Sequence, residues 1–182
     1  VEALTSTGGL VGANEESGSI ENCRVSGSVT GQHYTGGIAG QNLGSIVRCV
    51  SSASVNTTSQ EFAADVSNLS LTELDSTTEL INDYTDTGGI AGFSSGVVSA
   101  CMNTGAVGYE HMGYNIGGIV GRQSGYVESC TNSGSILGRK EVGGIIGQME
   151  PYLTLDLSAS SAENLSKELT KLHDLLDAAL LN

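Results

Sequence analysis

The most regular feature of the chain is a set of short apolar stretches separated by glycines and small polar residues. Five segments share the pattern Gly-Gly-aliphatic-x-Gly, and their first glycines are spaced by 28, 52, 29 and 26 residues. The paired glycines are Gly8 and Gly9, Gly36 and Gly37, Gly88 and Gly89, Gly117 and Gly118, and Gly143 and Gly144. Helices usually need about 10 or more residues, so stretches this short predict strands with glycines at the corners.

Two further elements follow four of these motifs. The first is Gly-x-(Ile/Val)-x-x-Cys, with the aliphatic residues Ile20, Ile46, Val98 and Val127, and the second supplies Val29, Val55, Val107 and Ile136. A unit of about 27 residues is too small to bury its own apolar face, but stacked units can bury theirs. The repeat therefore predicts an all-β fold, a β-solenoid resembling a parallel β-helix. We expect three strands per turn and ladders of equivalent residues facing inward.

The four cysteines occupy the same position in four copies of the repeat. They are Cys23, Cys49, Cys101 and Cys130. Equivalent residues of a solenoid point the same way, which favours a buried ladder of free thiols acting as small hydrophobic side chains. Two disulfides and a zinc site are alternatives, although no pair shows the Cys-x-x-Cys spacing typical of zinc ligands.

The repeat is interrupted once and ends before the chain does. The 52-residue spacing predicts an insertion at about 56–86, whose apolar residues recur every three or four positions and indicate one or two short helices. The solenoid would span 1–150, and 151–182 would form a linker and an amphipathic helix. A capping box begins at Ser160, and leucines follow at coiled-coil spacing: Leu165, Leu169, Leu172 and Leu176. We expect the whole chain to be part of a longer polypeptide.

Composition and charge narrow the classes of partner. The formal net charge of −13 argues against nucleic acid and anionic membranes, which attract basic surfaces. No calcium-binding spacing accompanies the acidic residues, so a solvated exterior is the simpler interpretation. We expect no cofactor, no metal and no nucleic acid. An extracellular protein or glycan is the expected partner, with self-association through the C-terminal helix as a further expectation.

The combined pattern closely resembles the GLUG repeat, which is found in large bacterial surface proteins, including some immunoglobulin-A-cleaving metallopeptidases. The resemblance covers roughly residues 8–55 and 88–147, and Ala53 stands where the repeat usually has glycine. It implies a stacked β architecture and an extracellular or cell-surface location in a bacterium. The family's repeats carry no catalytic residues, so the resemblance implies none here.

Catalytic motifs are missing from the sequence. The three histidines form no His-Glu-x-x-His pair, and no Gly-x-Ser-x-Gly elbow occurs. His33 and His111, with Tyr34, Tyr109 and Tyr114, either line a sugar-binding strip or are ordinary exposed turn residues. We predict a non-catalytic structural or adhesive module. An accessory domain of a larger surface peptidase, or a polysaccharide-active β-helix enzyme, is the alternative.

Overall fold

The computed structural model describes residues 1–57, 84–151 and 168–173. Two compact units divide the chain, Val1–Tyr152 and Leu153–Asn182. The first unit is a parallel β-solenoid of about four turns, which confirms the predicted architecture. In the second unit, residues 168–173 are helical.

Each turn of the solenoid adds one strand to each of several parallel sheets, and each such sheet is called a column here. Columns one and two contain five strands each and flank the Gly-Gly motifs. Column one stacks β1 (Thr5–Gly8), β6 (His33–Gly36), β11 (Thr85–Gly88), β15 (Tyr114–Gly117) and β19 (Lys140–Gly143). Column two stacks β2 (Val11–Asn14), β7 (Ala39–Asn42), β12 (Ala91–Ser94), β16 (Val120–Gln123) and β20 (Ile146–Met149). The Gly-Gly motif thus forms the corner between these columns.

Three further columns complete each turn with shorter strands. Column three contains β3 (Ser19–Glu21), β8 (Ser45–Val47), β13 (Val97–Ser99) and β17 (Tyr126–Glu128). Column four contains β4 (Arg24–Val25), β9 (Val50–Ser51), β14 (Met102–Asn103) and β18 (Thr131–Asn132). Column five pairs β5 (Ser28–Val29) with β10 (Ser54–Val55) and continues through single bridges from Val55 to Val107 and from Val107 to Ile136.

The expectation of three strands per turn is wrong, because each turn contributes to five columns. Apolar residues mark the columns that the sequence revealed. Columns one, two and four instead bury polar side chains, among them Thr35, Thr87, Asn42, Ser51 and Asn103, each at 0% exposure. A period-2 pattern of apolar residues is unable to reveal strands whose inward positions are polar.

Equivalent residues stack in strict register, and the inward-facing aliphatic side chains of the middle turns are fully buried. Ile20 pairs with Ile46, Ile46 with Val98, and Val98 with Val127. At the Gly-Gly corner the aliphatic residues of the three middle copies, Ile38, Ile90 and Ile119, are completely buried. Their counterparts on the first and last turns, Leu10 and Ile145, are 46% and 37% exposed. Burial of this ladder therefore depends on a neighbouring turn on each side.

Buried polar side chains in column two bond to one another along the stack. The Asn14 amide donates to Asn42 Oδ1 at 2.7 Å, and the Asn42 amide donates to the Ser94 hydroxyl at 3.1 Å. A buried amide without partners would cost about 1–3 kcal/mol, so this ladder favours the native register over a shifted one.

The predicted helices are described only in part. The insertion expected at about 56–86 falls largely outside the described residues, and strand β11 begins at Thr85, within the last two residues of that range. Of the C-terminal helix, residues 168–173 are helical, and Lys171 donates to Glu168 at 2.6 Å. Leu169 and Leu172 are 56% and 54% exposed. The capping box at Ser160, Leu165 and Leu176 lie outside the described residues.

Candidate functional site

The ten repeat glycines occupy two sterically distinct positions of the corner. The first glycine of each pair ends a column-one strand, and a Cβ atom there would lie well under 3.0 Å from a backbone oxygen of the same turn, as at Gly36 against Ala39. At the second glycine a Cβ atom would meet the carbonyl of the next turn, as at Gly37 against Gly89. The positions are Gly8, Gly36, Gly88, Gly117 and Gly143, and then Gly9, Gly37, Gly89, Gly118 and Gly144. Among these ten motif glycines, Gly144 on the last turn is the one where an added Cβ would meet nothing within 4 Å.

The four cysteines stack at the corner between columns three and four, and all are free thiols. Cys49 and Cys101 are buried, whereas Cys23 and Cys130 are half-buried on the outer turns. Each sulfur from the second turn onward accepts the backbone N–H of the preceding cysteine at 3.4 Å. Each thiol also donates to a carbonyl two residues earlier, for example Cys101 to Ser99 at 3.2 Å. The thiols therefore hold neighbouring turns together through weak hydrogen bonds.

The pKa values of three of these thiols depend on their position in the stack. Burial raises the pKa of the Cys49 thiol. The hydrogen bond that Cys101 makes to Cys130, together with burial, raises the pKa of Cys101. The same hydrogen bond lowers the pKa of Cys130 to about 7, because it favours the thiolate at this more accessible position. Burial and raised pKa values therefore predict that Cys49 and Cys101 react more slowly than Cys130.

The histidines and tyrosines considered as a sugar-binding strip divide between two places. His33 and Tyr114 lie in the same register position of column one, with Thr85 between them, and the His33 ring lies 3.1 Å from the Thr85 hydroxyl. Tyr109 and His111 lie instead in the loop that leads to β15. A strip containing all of these residues is therefore not a feature of column one.

An ion-pair cluster that the sequence analysis missed lies on the outside of columns one and two. Arg122 Nε donates to Asp86 at 3.0 Å, and Arg122 Nη1 donates to Glu150 at 3.2 Å. The Asn115 amide also donates to Asp86 at 2.8 Å. The side chain of Asp86 is only 5% exposed, whereas that of Arg122 is 25% exposed. The cluster joins three consecutive turns.

Two aromatic rings complete the environment of Arg122. Its guanidinium carbon lies 4.9 Å from the centroid of Phe93 and 5.9 Å from that of Tyr34. Burial works to lower the pKa of Arg122, but the Asp86 and Glu150 carboxylates outweigh it and raise that pKa above its usual value. Because Arg122 bonds carboxylates on the turns before and after its own, the cluster links three turns. The group of Arg122, Asp86 and Glu150 is called the Arg122 clasp below.

The described part of the chain offers neither a metal-ligand cluster nor a membrane-spanning helix. Within residues 1–57, 84–151 and 168–173, no three His, Cys, Asp or Glu side chains come together where they could hold a metal ion. No helix among those residues has the length and apolar character needed to span a bilayer.

Comparison with known families identifies the repeat. The model of the GLUG motif matches residues 3–30 and 112–137, which contain the first and the fourth turn of the solenoid. The chain contains GLUG repeats at these two segments. The turns between the matched GLUG segments share their strand register, since Ile46 and Val98 lie in the ladder that joins Ile20 to Val127. No curated protein and no solved structure matches the chain.

Proposed function

We propose that this GLUG-repeat chain is a non-catalytic structural and adhesive module of a bacterial cell-surface or secreted protein. The observation that carries the proposal is the contrast between its interior and its exterior. Inward positions repeat the same small set of side chains on each turn, such as Ile46 and Val98 in column three. These side chains are fully used in packing the rod against itself.

Outward positions differ from turn to turn. Strands of column three begin with Ser19, Ser45, Val97 and Tyr126 in one register position, and the exposed fraction of the tyrosine is 68%. A constant core with a variable outer face is typical of repeat proteins that bind partners along their sides. GLUG repeats are found in large bacterial surface proteins, and this supports a cell-surface or secreted location for the chain.

Labelling of intact cells tests the location and the role together. Antibodies raised against the chain should bind unpermeabilised cells of the source bacterium, and the signal should fall after treatment of those cells with external protease. Deleting the segment that encodes the repeats should reduce attachment to host surfaces without changing growth. Labelling that requires permeabilised cells, or turnover of polysaccharides or peptides by the purified chain, would contradict the proposal.

A further inference from the structure

We propose that a groove on the outside of the solenoid binds a short neutral carbohydrate chain. The assignment rests on the proposed adhesive function and gives its ligand a chemical class. The groove follows the turns between columns two and three, and its volume is about 410 Å³. Ligand sites in proteins typically measure roughly 300–1,000 Å³, so the groove is large enough for a small ligand.

The floor of the groove is made mainly of small residues. Gly44 and Gly96 lie in consecutive turns, and Ser45, Ser95 and Val97 lie beside them. A Cβ atom at Gly96 would lie well under 3.0 Å from the carbonyl oxygen of Gly44, so glycine is the residue that this stacking accepts. Glycine at this position of the floor is therefore a requirement of the stacking.

The two ends of the groove are formed by two departures from the repeat. On the first turn the connection from β2 to β3 has four residues, 15–18, whereas the next three turns use two, at 43–44, 95–96 and 124–125. On the fourth turn Tyr126 occupies the position held by Ser45 and Val97 on the two turns before it. Three inter-strand spacings of roughly 4.8 Å place these walls about 14 Å apart. Both irregularities thus border the same groove.

The chemistry of the lining matches an uncharged sugar. Tyr126 is 68% exposed and presents apolar ring surface, which suits the C–H face of a pyranose ring. The Ser45 hydroxyl donates to the Ser19 hydroxyl at 3.2 Å, and serine oxygens retain further accepting capacity toward a ligand. Glu16 adds a carboxylate acceptor, and no Lys or Arg is among the lining residues. An anionic polysaccharide would be repelled by this carboxylate, so the groove favours a neutral one.

Binding of defined oligosaccharides to the 182-residue chain tests the proposal. The probes are neutral cello-, manno- and N-acetylated chito-oligosaccharides, with hyaluronate and oligogalacturonate as anionic comparators. We expect at least one neutral probe to bind by calorimetry and saturation-transfer NMR. Tyr126→Ala should weaken that binding at least about tenfold, equivalent to about 1.4 kcal/mol. The matched control is Tyr109→Ala, because Tyr109 is also exposed, at 38%, but lies outside the groove.

A second variant guards against a general effect of losing Tyr126. Ser45→Gln should fill the floor and weaken binding, while the buried Cys49 and Cys101 stay protected from thiol reagents as in the wild type. Binding of none of the neutral probes, binding of anionic probes alone, or equal affinity in wild type and Tyr126→Ala would each overturn the assignment. If those results accompany surface labelling and repeat-dependent attachment, the ligand class is wrong and the adhesive role stands. Labelling confined to permeabilised cells would refute the adhesive role whether or not sugars bind.

Discussion

Gly89 lies against the carbonyl of Gly118 on the next turn, so closely that an added methyl group would overlap that oxygen. The same methyl group would also lie well under 3.0 Å from the Asn103 side chain, which is buried. Both neighbours are fixed, one as backbone and the other by its hydrogen bonds to Gly105 and Asn132. The second glycine of the motif is therefore a requirement of stacking.

Gly89→Ala should destabilise the solenoid, because the overlap forces turns three and four apart. Overpacking of this kind typically costs about 1–3 kcal/mol in the free energy of unfolding. Gly144→Ala is the matched control, since Gly144 holds the same motif position on the last turn and an added Cβ there meets nothing. Urea denaturation of both variants measures the difference. Equal destabilisation of the two would contradict the stacking register.

Removal of Arg122 should weaken the solenoid more than removal of an exposed arginine. Arg122→Ala leaves the nearly buried Asp86 carboxylate without its ionic partner, and an unsatisfied buried group costs about 1–3 kcal/mol. Arg48→Ala is the control, because its pair with Glu21 is about half exposed on both sides. Such surface pairs contribute about 1 kcal/mol or less. Adding Asp86→Asn to Arg122→Ala should restore part of the lost stability, and failure to do so would contradict the clasp.

Alkaline pH should reduce the stability of the reduced chain. An unfolded thiol titrates near pH 8.5, whereas the folded state holds the pKa values of Cys49 and Cys101 higher. The folded state therefore binds more protons above about pH 8.5, and its stabilisation is lost as the pH rises further. Cys130, with its lowered pKa, acts in the opposite sense between about pH 7 and 8.5. A Cys49→Ala/Cys101→Ala double variant should lose less stability between pH 8.5 and 9.5, and an equal decline would count against this origin.

Residues 57–83 should be replaceable by a single glycine. Val55 pairs with Val29 and Thr85 with His33, so Asn56 and Tyr84 stand where Thr30 and Gln32 stand on the turn before. Asn56 already closes this position, because it accepts the Gly31 N–H at 2.9 Å and donates to the Thr87 hydroxyl at 3.0 Å. The shortened chain should keep its far-ultraviolet β signal and cooperative unfolding. Loss of either would show that the replaced residues belong to the core.

The parallel stacking and the aliphatic ladders could be predicted from the sequence, because repetition at a fixed spacing reports contacts between turns. Ile46 and Val98 are 52 residues apart, and the motif alone places them side by side. The number of columns could not be predicted in this way. Polar residues such as Thr87 and Asn103 face inward where the stack supplies their environment, and their polarity makes them look like loop residues.

Other features depend on backbone conformations that the identity of the side chain does not predict. The residue before each cysteine adopts a left-handed conformation at Asn22, Arg48, Ala100 and Ser129, with φ between 51° and 55°. Only the asparagine favours that region by itself, so the fold imposes it on the others. The Arg122 clasp also could not be predicted from the sequence. Asp86 is 36 residues from Arg122 in the chain, and only the stacking of the turns brings the two side chains together. The groove could not be predicted either, because it depends on how the length of one connection differs between the four turns.

The protection of the four thiols tests the in-register solenoid most directly. The measurement is maleimide labelling of the reductant-free chain, native and then denatured, with the modified cysteines identified by peptide mass spectrometry. We predict that Cys49 and Cys101 resist labelling in the native chain, that Cys23 and Cys130 react measurably faster, and that all four react after unfolding. Equal native reactivity of the inner and outer cysteines, or thiols that stay unreactive after unfolding, would contradict the stack of free, inward-facing cysteines.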